Sequence, residues 1–286
     1  MVQNQHNPLA SFMRQPKIYI SLPSQGQYYP PGSIELNETA QLAVYSMTAK
    51  DELLLNVPDA LMNGQAVVDV IQNCIPGIKD AWHVLSIDID FILLAIRLAT
   101  YGEMMTTPIK INDEVEFEYQ VDLRVVMDNL LSQISWNPIV SINDEMTVYV
   151  KPVSYKDMTK SAIQTFETQK IVQAVNDEKL SEEQKQEIFK QSFSKLTDVT
   201  IGMISSSVFK IDTIAGSTDN SEHIREFIEN ADKEIFNKIQ QHLDILRENN
   251  TIKPVVVPVT DDMREKGVTG DTIEVPLTFD PATFFA

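Results

Sequence analysis

The chain has 286 residues and a mass of 32.3 kDa, enough for one large domain or two ordinary ones. Hydrophobic residues make up 43% and charged residues 22%, which argues against wholesale disorder and indicates a folded protein. The net charge of −18 is spread along the chain without a Lys/Arg stripe, so the composition argues against direct binding to nucleic acid.

The single cysteine, Cys74, excludes an intramolecular disulfide and a multi-cysteine zinc site, and we expect it to pack as a small core residue. The longest strongly apolar run, Phe91 to Ile96, is far shorter than the roughly 20 residues that a membrane-spanning helix needs. The start of the chain, Met1 to Arg14, lacks the layout of a signal peptide and is expected to be a loose arm. The sequence therefore predicts neither membrane insertion nor disulfide bonds.

The first half alternates short strands and helices. The helix that follows the second strand has an N-terminal cap pattern, Thr48 with Asp51 three residues later. The predicted elements are strands at Lys17–Leu22 and Gln41–Met47, helices at 49–57, Asp59–Ile75 and Val121–Ile134, a hairpin of Ile109–Ile111 with Val115–Tyr119, and a strand at Thr147–Val150.

The segment Ile87–Tyr101 is apolar nearly all round, so it predicts a central buried helix with Ser86 as its cap and Gly102 as its stop. Arg97 lies inside this apolar run. A guanidinium there must find an anionic or carbonyl partner or extend to solvent. We predict a structural ion pair for Arg97 in preference to a ligand site.

The second half contains longer helical patterns. Ser154 with Asp157, and Ser181 with Gln184, form capping boxes for helices that reach about Val175 and Val208. Asn220 or Ser221 opens a third, ending near Glu248, which as one helix would be roughly 40 Å long at about 1.5 Å per residue. The pattern predicts a protruding helical bundle, with a helix-helix loop at 215–220.

The end of the chain combines strands with an aromatic tail. Ile252–Val259 and Thr272–Thr278 are predicted strands, and Phe279, Phe284 and Phe285 follow them. Two alternatives stay open for these phenylalanines. They dock onto their own domain, or they enter a groove on a neighbouring subunit as aromatic anchors.

Motifs for chemistry are few. The sequence lacks phosphate-binding glycine loops and the zinc-peptidase motif, and its four histidines have no close ligand spacing. Asp88 and Asp90 could ligate a cation, but acids in the first turn of a helix also complement its dipole. The alternating Glu114, Glu116 and Glu118 could serve sugar hydrolysis or form a solvated face, and the solvated face is favoured. No catalytic, cofactor-binding or metal-binding residue is predicted.

These patterns together predict an α+β fold, with a small mixed core of short strands around a buried central helix and an inserted long-helix bundle. The expected regions are a flexible arm at residues 1–16, an α+β core at 17–153, a helical bundle at 154–250, and a β-hairpin with an aromatic tail at 251–286.

Four segments in this order carry a family resemblance: Ile18–Tyr29, Val44–Glu52, Ile87–Gly102 with its ending Ile-Arg-Leu-Ala-Thr-Tyr-Gly, and the tail Phe-Asp-Pro-Ala-Thr-Phe-Phe at 279–285. The combination resembles the baseplate hub proteins of T-even-like contractile-tailed bacteriophages. That family comprises a hub structural subunit and a related hub assembly factor. Some relatives carry paired cysteines of zinc-ribbon type, and residues 106–119 and 255–275 contain none, so bare hairpins are expected here.

The resemblance implies a non-enzymatic structural subunit of the central baseplate hub that acts by protein-protein binding during tail assembly. Its expected location is the virion tail, after assembly in the host cytoplasm. Expected partners are other hub and tape-measure proteins and a second copy of the chain, without cofactor, nucleic acid or membrane. The candidate partner-binding residues are Tyr28, Tyr29, Phe279, Phe284 and Phe285. Two other readings stay open: a non-virion assembly chaperone for the hub or tape measure, and a hub-borne cell-wall hydrolase.

Overall fold

Helices and small antiparallel sheets alternate along the chain in the computed structural model, which describes Phe284 and residues 13–277 except 58, 59, 61, 113, 114, 175–180 and 266. The strands are β1 (Ile18–Ile20), β2 (Leu42–Val44), β3 (Met104–Asn112), β4 (Val115–Asp122), β5 (Ile139–Asn143), β6 (Met146–Val150), β7 (Val208–Thr213), β8 (Gly216–Thr218), β9 (Val255–Pro258) and β10 (Thr272–Val275). The helices are α1 (Ala49–Leu55), α2 (Gln65–Cys74), α3 (Ser86–Tyr101), α4 (Leu123–Gln133), α5 (Tyr155–Ala174), α6 (Glu182–Ser207), α7 (Ser221–Asn230), α8 (Lys233–Asn249) and α9 (Asp261–Glu265).

Across the described residues, the strands form four separate antiparallel sheets: β1–β2, β3–β4, β5–β6–β7–β8 and β9–β10. Because short antiparallel sheets are combined with separate helices, the predicted α+β class is confirmed. Within the described ranges, no helix is long and apolar enough to cross a membrane.

Helix α3 is the centre of the largest core, as predicted, with 12 of its 16 residues buried. It packs with β1, β2, α2 and α4 in one hydrophobic cluster. Gly102 ends the helix with a φ of 94°, a left-handed conformation that favours glycine. The predicted cap was wrong by one residue, since Leu85 is the N-cap and Ser86 is already helical.

Two glycines shape the same core. Gly64, predicted to lie inside a helix, instead precedes α2 with a φ of 77°, so this helix begins at Gln65. Gly77 allows close packing, because a Cβ there would lie 2.6 Å from Leu42 Cδ2 and 2.8 Å from the backbone oxygen of Glu35. Cys74 at the end of α2 is fully buried, as predicted, and burial raises the pKa of its thiol to about 12.

Arg14 is held by this core although it falls within the predicted arm of residues 1–16. Its guanidinium donates to the backbone oxygens of Ser46 and Asn73, each at 2.6 Å. The Asn73 amide in turn donates to the buried carboxylate of Asp51, which also accepts the backbone N–H of Thr48 at 2.7 Å. Arg14 is therefore part of the folded region, and the Thr48–Asp51 cap pattern of α1 is confirmed.

The β3–β4 hairpin is longer than predicted and includes Val121, so α4 begins at Leu123. The terminal strands β9 and β10 are confirmed as an antiparallel pair, with α9 between them. Residues of both hairpins and α9 share a small core of Ile109, Val257, Val259, Met263, Val268 and Val275.

Helices α5 and α6 begin at their predicted capping boxes. Ser154 Oγ donates to Asp157 Oδ2 at 2.7 Å, and the Gln184 backbone N–H donates to Ser181 Oγ at 3.3 Å. The two helices pack against each other, with the small side chains of Thr168 and Ser192 buried between helix surfaces that are otherwise largely exposed. This local cap chemistry made both helix starts predictable.

The region after α6 corrects the predicted bundle. The hairpin β7–β8 lies where a helix-helix loop was expected, and the predicted single long helix is wrong, because Ala231 is extended between α7 and α8. Helices α7 and α8 share a hydrophobic core with the four-stranded sheet. That sheet takes strands from both sides of the predicted boundary at 153/154, and the domain division stays a prediction.

Side chains of α8 donate to one carbonyl of β5, an edge strand of the four-stranded sheet, and to one carbonyl two residues before this strand. Lys238 Nζ donates to the Ile142 carbonyl at 3.0 Å, and His242 Nε2 donates to the Asn137 carbonyl at 2.9 Å. Neither β5 nor these contacts were predicted from the sequence. A helix that satisfies edge carbonyls protects a strand that would otherwise be open to pairing.

Candidate functional site

Tyr29 and Asp88 form a buried polar contact between the 23–32 loop and α3. The fully buried carboxylate of Asp88 accepts the Ser24 backbone N–H at 2.8 Å and the Tyr29 hydroxyl at 2.9 Å. Burial raises the pKa of the Asp88 carboxyl to about 6, and burial with the nearby Asp88 charge raises the pKa of Tyr29. The pair holds the loop against the core.

The neighbouring Tyr28 points toward the four-stranded sheet. Its φ of 66° is unusual for a residue other than glycine. Its ring centroid lies 5.7 Å from that of Phe209 on β7, which lies 6.1 Å from that of Tyr149 on β6. The half-buried Tyr28 therefore links the loop to the sheet, and a partner-binding role for Tyr28 and Tyr29 stays a prediction.

Arg97 on α3 lies between two aromatic rings. Its Cζ atom is 5.2 Å from the ring centroid of Tyr101 and 5.2 Å from that of Phe284. Its Nη1 donates a hydrogen bond to the backbone oxygen of Phe284, while its buried Nε has no hydrogen-bond partner among the described groups. Burial lowers the pKa of the guanidinium. The described polar partner of Arg97 is thus a carbonyl, and the predicted ion pair stays a prediction.

In the structure, Phe284 docks onto its own chain, the first of the two alternatives for the aromatic tail. It is only 4% exposed and belongs to the main core cluster around α3. Its burial combines removal of apolar area from water with a cation-π contact to Arg97. Phe279 and Phe285 lie outside the described residues, so their predicted role in partner binding stays a prediction.

The residues considered for enzymatic chemistry do not form a described active site. Glu114 and the side chain of Glu116 lie outside the described part, and Glu118 is exposed on β4. Asp88 is engaged by Ser24 and Tyr29, and burial raises the pKa of Asp90 to about 6. Over the described residues, no group of three or more His, Cys, Asp or Glu side chains could hold a metal ion.

The α5–α6 hairpin presents exposed apolar side chains and an open groove. On α6, Phe189 is 49% and Phe193 is 73% exposed. A groove of about 660 Å³ between α5, α6 and the start of α7 is lined by polar and apolar side chains and carries both signs of charge. Its charged lining includes Lys160, Lys195, Arg225, Asp157, Asp198 and Glu222.

Only part of the surface of the α5–α6 hairpin could be predicted from the sequence. Phe189 and Phe193 are four positions apart in the sequence, a spacing that places both on one helix face and ordinarily indicates burial. The structure leaves both rings exposed, whereas Ser192 on the same helix is buried. The groove was missed, because it depends on how α7 sits beside the hairpin.

Comparison with models of protein families gives a match over most of the chain. The sequence profile described as T4 bacteriophage base plate protein matches residues 15–260, which is most of the chain. Comparison with the curated proteins and with the solved structures found no significant match. The matched range includes the central helix α3, the loop that carries Tyr28 and Tyr29, and the α5–α6 hairpin. The chain therefore belongs to the T4 bacteriophage base plate protein family.

Proposed function

We propose that this chain is a structural subunit of the central hub of a contractile-tailed phage baseplate and acts by protein-protein binding during tail assembly. Membership in the base plate family supports a structural role in the phage baseplate, a place in the virion tail and association with other baseplate proteins. The hub assignment rests on the segments Ile18–Tyr29, Val44–Glu52 and Ile87–Gly102, which resemble hub proteins. This resemblance, inside the matched range, is the observation that carries the proposal.

The physical character of the α5–α6 hairpin supports a binding role. Helices α5 and α6 together contain six lysines and six acidic residues, so their charges balance, whereas the whole chain has a net charge of −18. A charge-balanced helical surface avoids the repulsion that an acidic protein otherwise meets when it approaches acidic neighbours. The exposed rings of Phe189 and Phe193 supply apolar area of the kind that anchors interfaces. We propose that this hairpin contacts neighbouring hub or tape-measure proteins.

The internal use of the polar side chains also supports a non-enzymatic role. Asp88 and Arg97 are the buried charged groups of α3, and both are engaged by groups of the same chain. A catalytic acid or base must be within hydrogen-bond reach of a substrate. A cell-wall hydrolase would leave a cleared band in a gel containing bacterial wall material, and we expect no clearing from the purified chain.

The experiment that separates the hub subunit from the assembly chaperone is quantitative mass spectrometry of purified virions. A hub subunit is expected in virions in fixed proportion to other baseplate proteins. A chaperone would be abundant in the infected-cell lysate and missing from virions, and that distribution would contradict the proposal. The lysate measurement ensures that low expression is not mistaken for exclusion from the particle.

The proposed role of the hairpin is tested with Phe193→Asp and the matched control Thr197→Asp, since both residues are exposed on α6. Both variants should fold with a nearly unchanged free energy of unfolding, because neither removes a buried contact. Only Phe193→Asp should reduce incorporation into virions, because it places a charge in the apolar contact. Equal incorporation of the two variants would exclude Phe193 as an anchor.

A further inference from the structure

The pocket at Arg97 recognises two features of the residue that fills it. The guanidinium lies 5.2 Å from the Phe284 ring centroid and donates Nη1 to the carbonyl of the same residue. Tyr101 forms the other side, also with its ring centroid 5.2 Å from Arg97 Cζ. The pocket therefore selects an aromatic residue together with its own backbone carbonyl.

This contact is separable from the rest of the fold. Phe284 lies 187 positions after Arg97 in the sequence. The described residue that precedes Phe284 is Leu277, just beyond β10. The other buried residues described for the main cluster come from positions 20–130. The contacts that Phe284, the described residue of the tail, makes with this pocket are the same whether it comes from its own chain or from a second copy.

An empty pocket would be unfavourable. Arg97 is only 9% exposed, and its Nε already has no hydrogen-bond partner among the described groups. If Phe284 left the pocket, its ring would lose its burial, and the Arg97 guanidinium would lose both the ring contact and the carbonyl acceptor of Nη1. The pocket thus favours states in which one tail or another fills it.

The length of the connection sets the range of this anchor. Seven residue steps join Leu277 to Phe284, which span at most roughly 25 Å at about 3.3–3.6 Å per residue. A neighbour whose pocket lies within that distance of Leu277 is in reach. A tail in its own pocket benefits from an effective concentration on the order of millimolar, so exchange requires a high local concentration of copies.

We propose that the Arg97 pocket of one copy binds Phe284 of a second copy, so that exchanged C-terminal segments link copies of this chain at high local concentration. The inference goes beyond the hub assignment and holds equally for a chaperone. It also differs from binding of the tail to another baseplate protein, because donor and acceptor are both in this sequence.

The test is a complementation experiment with full-length variants. Phe284→Ala keeps the pocket but lacks the anchor, and Arg97→Gln keeps the anchor but lacks the guanidinium. Each variant alone should be monomeric by sedimentation velocity and native mass spectrometry, and an equimolar mixture should form a one-to-one heterodimer. The apparent dissociation constant of the mixture should be at least tenfold lower than that of either variant with itself.

Because Arg97 is buried, its substitution could disturb folding. A second variant therefore changes the same pocket at a more exposed residue. Tyr101→Ala removes one aromatic side of the pocket, and Tyr101 is 43% exposed; Tyr19→Ala, at a 56% exposed tyrosine on β1, is the control. Mixed with Phe284→Ala, the Tyr101 variant should form heterodimers and the Tyr19 variant should form fewer. The proposal would be overturned if Phe284→Ala stayed monomeric at hundreds of micromolar when mixed with folded Arg97→Gln and when mixed with folded Tyr101→Ala. It would also be overturned if Phe284→Ala formed dimers alone.

Discussion

Replacement of Asp88 by asparagine should change how the stability of the chain depends on pH. The carboxyl is fully buried on α3, and burial raises its pKa from 3.8 to about 6. A group whose pKa is higher in the folded state binds its proton more tightly there, so its contribution to stability is complete below pH 3.8 and is lost as the pH rises through about 6. A shift of this size corresponds to about 3 kcal/mol at 1.36 kcal/mol per unit.

The asparagine side chain cannot ionise, so the variant lacks this pH-dependent loss. We subtract the free energy of unfolding of the unmodified chain from that of Asp88→Asn. We expect this difference to increase by roughly 2–3 kcal/mol between pH 4 and pH 7, because only the unmodified chain loses stability. Urea unfolding at half-unit pH intervals measures this difference. Taking the difference between the two proteins removes the contributions of the other acidic residues, which are the same in both.

The matched control is Asp128→Asn, which removes one exposed carboxylate from α4. A flat difference for Asp88→Asn would mean that the hydrogen bonds from Ser24 and Tyr29 fully offset the burial of the charge. A difference that favours the unmodified chain as the pH rises would refute the reasoning, because the carboxylate would then be better stabilised in the folded protein than in water.

Three further predictions concern packing and capping, and urea unfolding measures each. Gly77→Ala should destabilise the protein by about 1–3 kcal/mol, because the new Cβ would meet the Glu35 backbone oxygen at 2.8 Å. The control Gly202→Ala, where a Cβ would have nothing within 4 Å, should stabilise α6 by about 0.5–1 kcal/mol. Equal effects of the two substitutions would exclude the clash at Gly77. Asn220→Ala should cost about 1 kcal/mol, because the side chain accepts two backbone N–H groups at the start of α7; an unchanged midpoint would rule out a role for this cap. Ile239→Ala should cost about 2–5 kcal/mol at this fully buried position, and a smaller loss would indicate that the core of α7, α8 and the sheet collapses around the gap.

Local signals made much of the fold predictable. The capping patterns at Thr48, Ser154 and Ser181 each join two residues three positions apart, and all three mark real helix starts. The uninterrupted apolar character of α3 identified the central helix in the same way. These features depend on neighbours in sequence, which is why they could be read without tertiary information.

The misassigned elements depend on contacts between distant parts of the chain. Strand β7 follows α6 without a break and pairs with β6 about 60 residues earlier, so its strand character is decided by the partner. The apolar stripe of α7 and α8 continues across Ala231, and periodicity alone therefore predicted one helix. Asp232, the N-cap of α8, was the available signal for the break.

The candidate site was predictable as residues but not as geometry. The isolated charge of Arg97 in an apolar helix indicated an internal partner, and the aromatic tail was notable by composition. Their contact spans 187 positions and could not be read from spacing. Arg14 was missed for the same reason, since its hydrogen bonds reach Ser46 and Asn73.

The contacts of α8 with β5 bear on how such a chain avoids polymerising as a fibre. Baseplate assembly concentrates proteins, and a bare strand edge under crowding can recruit identical strands into cross-β stacks. Lys238 occupies the Ile142 carbonyl of β5 and His242 occupies the Asn137 carbonyl just before this strand, so growth at this edge would first require α8 to move away. The helix thereby directs association away from backbone pairing and toward side-chain recognition, which specifies a defined partner.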